Sequence, residues 1–236
     1  RRQVELIPLQ AVDPQQLVID ARSDQAGRQP HRRGDAVGAD EHRPAERNEP
    51  LHAFDQRLIA RFWSDDPMLS PTPPGHWMWL ALGLFERDKT ELAMQVDVLA
   101  RLGIAIADGF IGCWEVKYQY DLLRPVTYIK KHVDAKWEPL LITPPFPEYP
   151  SGHSTQSGAA AEVLTAVFGE NFAFEDKTHE RDGLKARKFA SFRAAAEEAA
   201  LSRLYGGIHF RAAIERGLEQ GRCIGAYVNA LKTRMK

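Results

Sequence analysis

Three short segments hold the residues of this chain that could do chemistry. They are Lys117 with Arg124-Pro125, then Pro150-Ser151-Gly152-His153, then Ser202-Arg203 with His209. Together they supply three cations, two imidazoles, a hydroxyl and a glycine backbone N–H. That set suits a tetrahedral oxyanion such as phosphate or vanadate. Such an ion needs donors around its oxygens, a nitrogen at the central atom and a group to move a proton. None of the residues named is a carboxylate, which would repel an anion.

Each segment has its own physical logic. Lys117 and Arg124 are two helical turns apart, which places them on one face about 10 Å apart along the axis. Pro125 disfavours helical geometry at Arg124, so Arg124 is expected at the C-terminal edge of that helix. Ser151 stands where an N-cap belongs, and the following N–H groups would point out of the helix start toward an anion. Gly152 allows an oxyanion close to the backbone, and His153 is then a general acid or base beside it. A helix ending at Gly206-Gly207 would let His209 fold back toward Arg203. The Arg203 guanidinium offers a planar fork to two oxygens, and a neutral His209 could attack phosphorus or ligate vanadium. Taken singly, each segment also has an ordinary reading: exposed charges, a plain cap, a core histidine.

The rest of the chain has to position these groups. It has 236 residues, 44% apolar and 27% charged, with a formal net charge of −1. This is a globular composition with no argument for nucleic acid or an anionic membrane as partner. Cys113 and Cys223 sit in apolar helical patterns and read as reduced thiols. No signal peptide is visible, and the chain begins with Arg1. The longest uncharged apolar stretch, His76 to Phe85, is about half the roughly 20 residues a membrane span requires.

Residues 1–48 are rich in Arg, Gln, Asp and Pro without a period, and read as a poorly structured N-terminal extension. Residues 49–236 read as one helical domain. Helices are expected over about 52–64, 76–86, Thr90 to Leu123, 152–168, 185–205 and 209–233. Ser70–Gly75 reads as a rigid loop. Residues 139–150 hold five prolines in twelve positions and read as a strap delivering Ser151 to its helix. Gly169 is expected as a C-cap, and residues 170–183 as an acidic loop. Gly217, Gly221 and Gly225 would line one face for close helix approach. No Val/Ile/Thr alternation marks a sheet, so the fold class is all-α, a helical bundle. The other histidines, His31, His42, His52, His76, His132 and His179, show no metal-ligand spacing and no accompanying acidic or cysteine cluster. A zinc or di-iron site is not expected among them.

The three segments read KYQYDLLRP (117–125), PSGH (150–153) and SRLYGGIH (202–209). In order and internal spacing this pattern resembles the type 2 phosphatidic acid phosphatase and vanadium-dependent haloperoxidase superfamily. The contexts TPPGHW (72–77) and PFPEYPSGH (145–153) look like its soluble bacterial haloperoxidase-related branch. The resemblance runs from about Ile59 to Lys232 and implies a haloperoxidase or acid phosphatase type of bundle. It implies that Lys117, Arg124 and Arg203 hold the oxygens of the anion, with Ser151 and the Gly152 N–H completing the shell. It makes His209 the axial vanadium ligand of a peroxidase, or the nucleophile of a phosphatase working through phosphohistidine. It gives His153 the proton transfers. Vanadate is the implied cofactor, with hydrogen peroxide and halide as substrates. A phosphate ester, with no cofactor, is the alternative.

Two departures stand out. The family pattern carries an Asp four residues after the last His, to orient the imidazole. Position 213 here is Ala213, and Glu215 falls on another helix face. Loss of such an orienter lowers rate by orders of magnitude in other enzymes, so a non-catalytic oxyanion-binding paralogue is a further alternative. Secondly, soluble members often carry an upstream helical region that shapes the pocket. With about 115 residues before Lys117, an open pocket is expected. The resemblance also carries the expectation of a homodimer, and of a soluble periplasmic or secreted protein rather than a cytoplasmic one.

Overall fold

The computed structural model describes residues 51–65 and 72–233, with side chains from 54. The expected extension over residues 1–48 therefore lies outside the described residues. Helix α1 spans Leu51–Phe62, α2 Pro73–Asp88, α3 Leu92–Tyr120 and α4 Pro125–His132. Helix α5 spans Gly152–Phe168, α6 Phe192–Tyr205 and α7 Arg211–Asn229. Between α5 and α6 lies an antiparallel pair, β1 Phe174–Asp176 and β2 Arg187–Phe189, in the register Phe174 opposite Phe189. The all-α bundle is borne out. The two strands correct the expectation of no sheet, and β2 replaces the first turn expected of the helix over 185–205. Each strand is three residues long, too short to show a period.

Helix α5 is the centre of the bundle and is buried along most of its length. It packs against α3, α6 and α7. Small residues allow this: Gly158, Ala159, Ala160 and Ala161 keep its surface thin. The glycine-lined face of α7 lies directly on it. A Cβ at Gly217 would come within 2.8 Å of the Ser151 carbonyl oxygen, and one at Gly225 within 2.7 Å of Ala159's. At Gly221 it would overlap the Thr155 oxygen. Close approach thus fixes α7, and the His209 before it, against the α5 N-terminus. The core of Trp63, Trp77, Phe85, Leu102, Leu164 and Phe192 fills the space between α1, α2, α3, α5 and α6.

Several boundaries differ from expectation, each for a local reason. Pro73, Pro74 and Gly75 begin α2 rather than end a loop, because proline suits the first helical turn. Helix α3 stops at Tyr120, where Asp121 takes a left-handed conformation (φ 46°) and donates its N–H to the Lys117 carbonyl at 2.8 Å. Arg124 consequently lies beyond α3, in extended geometry, as the N-cap of the unexpected α4. His209 precedes α7 rather than opening it, since Phe210 is the extended N-cap. The proline strap, the α5 span, the Ser151 N-cap and the Gly169 C-cap are as expected. Cys113 and Cys223 are unpaired thiols. Among the described residues no helix is long and apolar enough to cross a membrane.

Candidate functional site

The three cationic segments meet at the N-terminus of α5. Lys117, on the last turn of α3, donates to the Pro147 and Glu148 carbonyls at 2.8 and 3.0 Å. It is fully buried and lies 5.3 Å from the Phe146 ring centroid. Arg124 donates through Nε to the Phe146 carbonyl and through Nη1 to the Ile208 carbonyl, both at 2.8 Å. The proline strap is therefore what the two cations grip, and the cations are what hold the strap. Ser151, fully buried, caps α5 by accepting from the Ser154 N–H at 3.3 Å. Its own N–H donates to the Ala213 carbonyl at 3.0 Å, tying the strap to α7. A Cβ on Gly152 would sit 3.1 Å from the Trp114 ring, so glycine is needed there for close packing. Arg203, on the last turn of α6, donates to Ser202 Oγ at 2.9 Å and to the Trp63 carbonyl.

His209 joins these pieces. Arg124 Nη1 lies 3.1 Å from His209 Nε2, while His209 Nδ1 lies 2.8 Å from Glu148 Oε1. A guanidinium can only donate. Nε2 therefore accepts, and the ring proton sits on Nδ1 and is given to Glu148. The same Glu148 oxygen accepts the Phe210 N–H at 2.9 Å. Glu148 thus occupies the role that the family assigns to the residue at Ala213. Ala213 is itself buried in a small apolar cluster with Val116 and Tyr149. A carboxylate thus stands at the heart of the cationic pocket, two residues before Pro150. Sequence reasoning missed it because the orienter has moved from α7 to the strap.

Burial and charge set the protonation of the site. Burial, reinforced by Arg124, Lys117 and Arg203, holds His209 well below the ordinary imidazole value, leaving it neutral. Burial also lowers His153 to about 4, with Arg203 adding to the effect and Asp65 opposing it. Burial pushes Glu148 up to about 7 against the Phe210 N–H, Arg124 and Lys117. Lys117 falls to about 8 and Arg124 to about 10, both mainly through desolvation. Arg124 Nη2 and His153 Nε2 are buried without hydrogen-bond partners. Native proteins rarely strand such groups, and an oxyanion at this point would satisfy both. The donor set therefore fits vanadate or phosphate. The pocket is not open as expected: Lys117, Arg124, Ser151, Arg203 and His209 are all buried.

A second polar cluster lies behind His153. Asp65 Oδ2 is 3.6 Å from His153 Nε2, beyond hydrogen-bond distance. Asp65 Oδ1 lies 2.9 Å from His76 Nδ1 and 3.1 Å from His179 Nε2. His76 Nε2 lies 2.8 Å from Asp176 Oδ2, and His179 Nδ1 lies 2.9 Å from Asp182 Oδ2. Burial works against the charge on His76, yet the two aspartates raise it to about 9. His179 is also raised: desolvation is outweighed by Asp65 and Asp182. Burial would raise Asp65, but His153, His179 and His76 hold it well below the carboxylate range. This cluster corrects the expectation that no acidic group accompanies the other histidines. Asp65 and His179 are 114 residues apart in the chain, so no spacing signal could have found the pair.

The model of the VCPO second helical-bundle domain matches residues 97–235. A bacterial vanadium-dependent iodoperoxidase is 39% identical, with a TM-score of 0.80 over 96% of this chain and 53% of its own. The chain thus spans about half the length of that enzyme. A holo-type bacterial vanadium-dependent chloroperoxidase is 17% identical, with a TM-score of 0.61 over 74% of this chain and 43% of that one. A transmembrane PAP2-type phosphatidylglycerolphosphate phosphatase from Bacillus subtilis is 15% identical, with a TM-score of 0.51 over 94% of this chain and 90% of that one. The last two share the fold alone. No curated protein matches the sequence. With a family model over more than half its length and a 39% identical relative over nearly all of it, the chain belongs to the VCPO second helical-bundle domain family of the vanadium haloperoxidases.

Proposed function

We propose that this chain carries the catalytic site of a vanadate-dependent haloperoxidase that oxidises halide, iodide foremost, with hydrogen peroxide. The observation that carries the reading is the His209 ring, whose neutral tautomer is set from both sides. Arg124 faces Nε2 at 3.1 Å and Glu148 takes the proton of Nδ1 at 2.8 Å. An imidazole prepared in this way presents a lone pair to a central atom. The 39% identity to an iodoperoxidase favours the peroxidase reading and the choice of iodide.

Lys117, Arg124 and Arg203, with Ser151 and the Gly152 N–H, would hold the oxygens of vanadate, and His209 Nε2 would supply its nitrogen ligand. Bound vanadate supplies the Lewis acidity that makes peroxide an oxidant toward halide. The cations spread compensation for the anion's charge over three sides, in a setting where burial strengthens each contact. Arg124 would exchange its contact with Nε2 for one with an oxygen. His153 is neutral at neutral pH and so could accept the proton that hydrogen peroxide gives up and release it again to a leaving oxygen as water. The buried surroundings exclude water that would compete for the donors.

The test is iodide oxidation by hydrogen peroxide with vanadate, read as triiodide formation. Activity that needs vanadate and is lost in Arg203→Ala and His209→Ala supports the reading. Hydrolysis of a phosphate ester with no halide oxidation at saturating vanadate would overturn it in favour of an acid phosphatase. Calorimetric vanadate binding with neither activity would overturn it in favour of an oxyanion-binding paralogue.

A further inference from the structure

The cluster behind the oxyanion site contains two histidines that each face a carboxylate on both ring nitrogens. His76 stands between Asp65 (2.9 Å) and Asp176 (2.8 Å). His179 stands between Asp65 (3.1 Å) and Asp182 (2.9 Å). Carboxylates only accept when ionised, so a neutral imidazole would leave one nitrogen lone pair against an oxygen lone pair. Two states avoid that repulsion. Either both rings carry two protons, or a cation replaces the two protons that point at Asp65.

The charge balance permits the exchange. Two imidazolium ions and one divalent cation with two neutral rings both place two positive charges among Asp65, Asp176 and Asp182. The geometry permits it as well. One donor atom each from Asp65, His76 and His179 lies within 4.8 Å of the others. In a tetrahedral site with bonds of about 2.0 Å, neighbouring donors are about 3.3 Å apart, so the Asp65 contacts need to open by only a few tenths of an ångström. Behind each ring stands the carboxylate that typically orients a metal-bound histidine. Asp176 is anchored in turn by the Thr178 N–H at 3.0 Å and the Thr178 hydroxyl at 2.6 Å. Trp63 stacks on His76, and Phe62 meets both rings edge-on, giving the cluster an apolar wall.

We propose that Asp65, His76 and His179 form a mononuclear site for a divalent transition ion of the zinc class, separate from the oxyanion-binding residues. The ion exchanges for two protons, and neither its ligands nor its charge depend on the oxyanion assignment.

Zinc titration of the chelator-treated full chain by calorimetry, in buffers of different ionisation enthalpy, tests this. The expected result is one zinc per chain, release of about two protons near neutral pH, and a higher melting temperature. Cobalt in place of zinc should give visible d–d absorption. His179→Ala should abolish uptake. Asp182→Ala provides a second reading that does not depend on the stability of that variant. The Asp182 side chain lies exposed on a short 3-10 turn and hydrogen-bonds the far nitrogen of His179, and its loss should weaken zinc about 10-fold. A folded chain that takes up no zinc would overturn the proposal. So would uptake that both variants leave unchanged, which would place the ion elsewhere.

Discussion

The two histidine clusters of this bundle adjoin each other and are opposites in charge. At the oxyanion site His209 and His153 are surrounded by Lys117, Arg124 and Arg203, and both rings are pushed toward the neutral form. A few ångströms further, His76 and His179 stand among Asp65, Asp176 and Asp182, and both are pushed toward the charged form. Burial opposes charge in all four. What differs is the sign of the neighbours, so local field rather than depth decides which histidine offers a lone pair and which keeps its proton. Asp65 touches both sides, through His153 at 3.6 Å and through His76 and His179 at about 3 Å. A cationic pocket is thus backed by a compact anionic cluster.

The sharpest way to break this contrast is to remove the neutral ring on which the pocket converges. His209→Ala should abolish halide oxidation, a loss of at least ~1000-fold, because binding groups alone cannot supply the missing ligand. A variant that retained a tenth of the activity would separate the cluster from the chemistry altogether.

Titration tests the contrast directly, by ring NMR of the metal-free protein. His76 should remain protonated up to about pH 9, and His153 should remain neutral down to about pH 4. The consequences for stability run in opposite directions. His76 is raised above its unfolded value of 6.5, so its contribution is complete below pH 6.5 and is lost between 6.5 and about 9. His153 is depressed, so its penalty is absent above pH 6.5 and grows as pH falls toward about 4. Each limb amounts to about 3 kcal/mol, from a shift of roughly 2.5 units at 1.36 kcal/mol per unit. If both rings titrated near 6.5, the opposed fields would not exist.

The same contrast explains what could be read from the chain. The cationic half was legible because Lys117, Arg124, Ser151, Gly152, His153, Arg203 and His209 fall in three segments with short fixed spacings. The anionic half was not, because Asp65, His76 and Asp176 come together from the turn after α1, from α2 and from β1, at separations of 11 and 100 positions. Glu148 was in view within PFPEYPSGH, yet its role depends on the strap turning back over His209, 61 positions later. The glycines of α7 announced a close helix contact, and the structure supplies it against α5. Arg124 was misplaced onto α3 because nothing in Tyr120-Asp121-Leu122 signals that a left-handed Asp121 ends the helix.

Glu148 tests the oxyanion side more gently than His209 does. Glu148→Gln keeps an oxygen that can accept from Nδ1 but removes the charge beside it, at a site where the carboxyl already titrates near 7. The loss should be about 10- to 100-fold in kcat, with vanadate affinity reduced less. A variant with unchanged kcat would mean that Arg124 alone fixes the ring.

The corresponding change on the other side should be the mildest. Asp182 stands behind His179 Nδ1 at 2.9 Å as Glu148 stands behind His209 Nδ1 at 2.8 Å. The pairings are alike in geometry and differ in exposure: the Asp182 carboxyl is 40% exposed and that of Glu148 2%. Water screens the first pair and competes for its hydrogen bond. Asp182→Ala in the metal-free protein should therefore cost less than about 1 kcal/mol of unfolding free energy, measured by denaturant titration at neutral pH. Asp65 remains to hold His179 from its other nitrogen. A loss of several kcal/mol would show that this outer carboxylate is coupled to the buried Asp65–His76 pair. The anionic cluster would then be one cooperative unit rather than a buried core with a solvated rim.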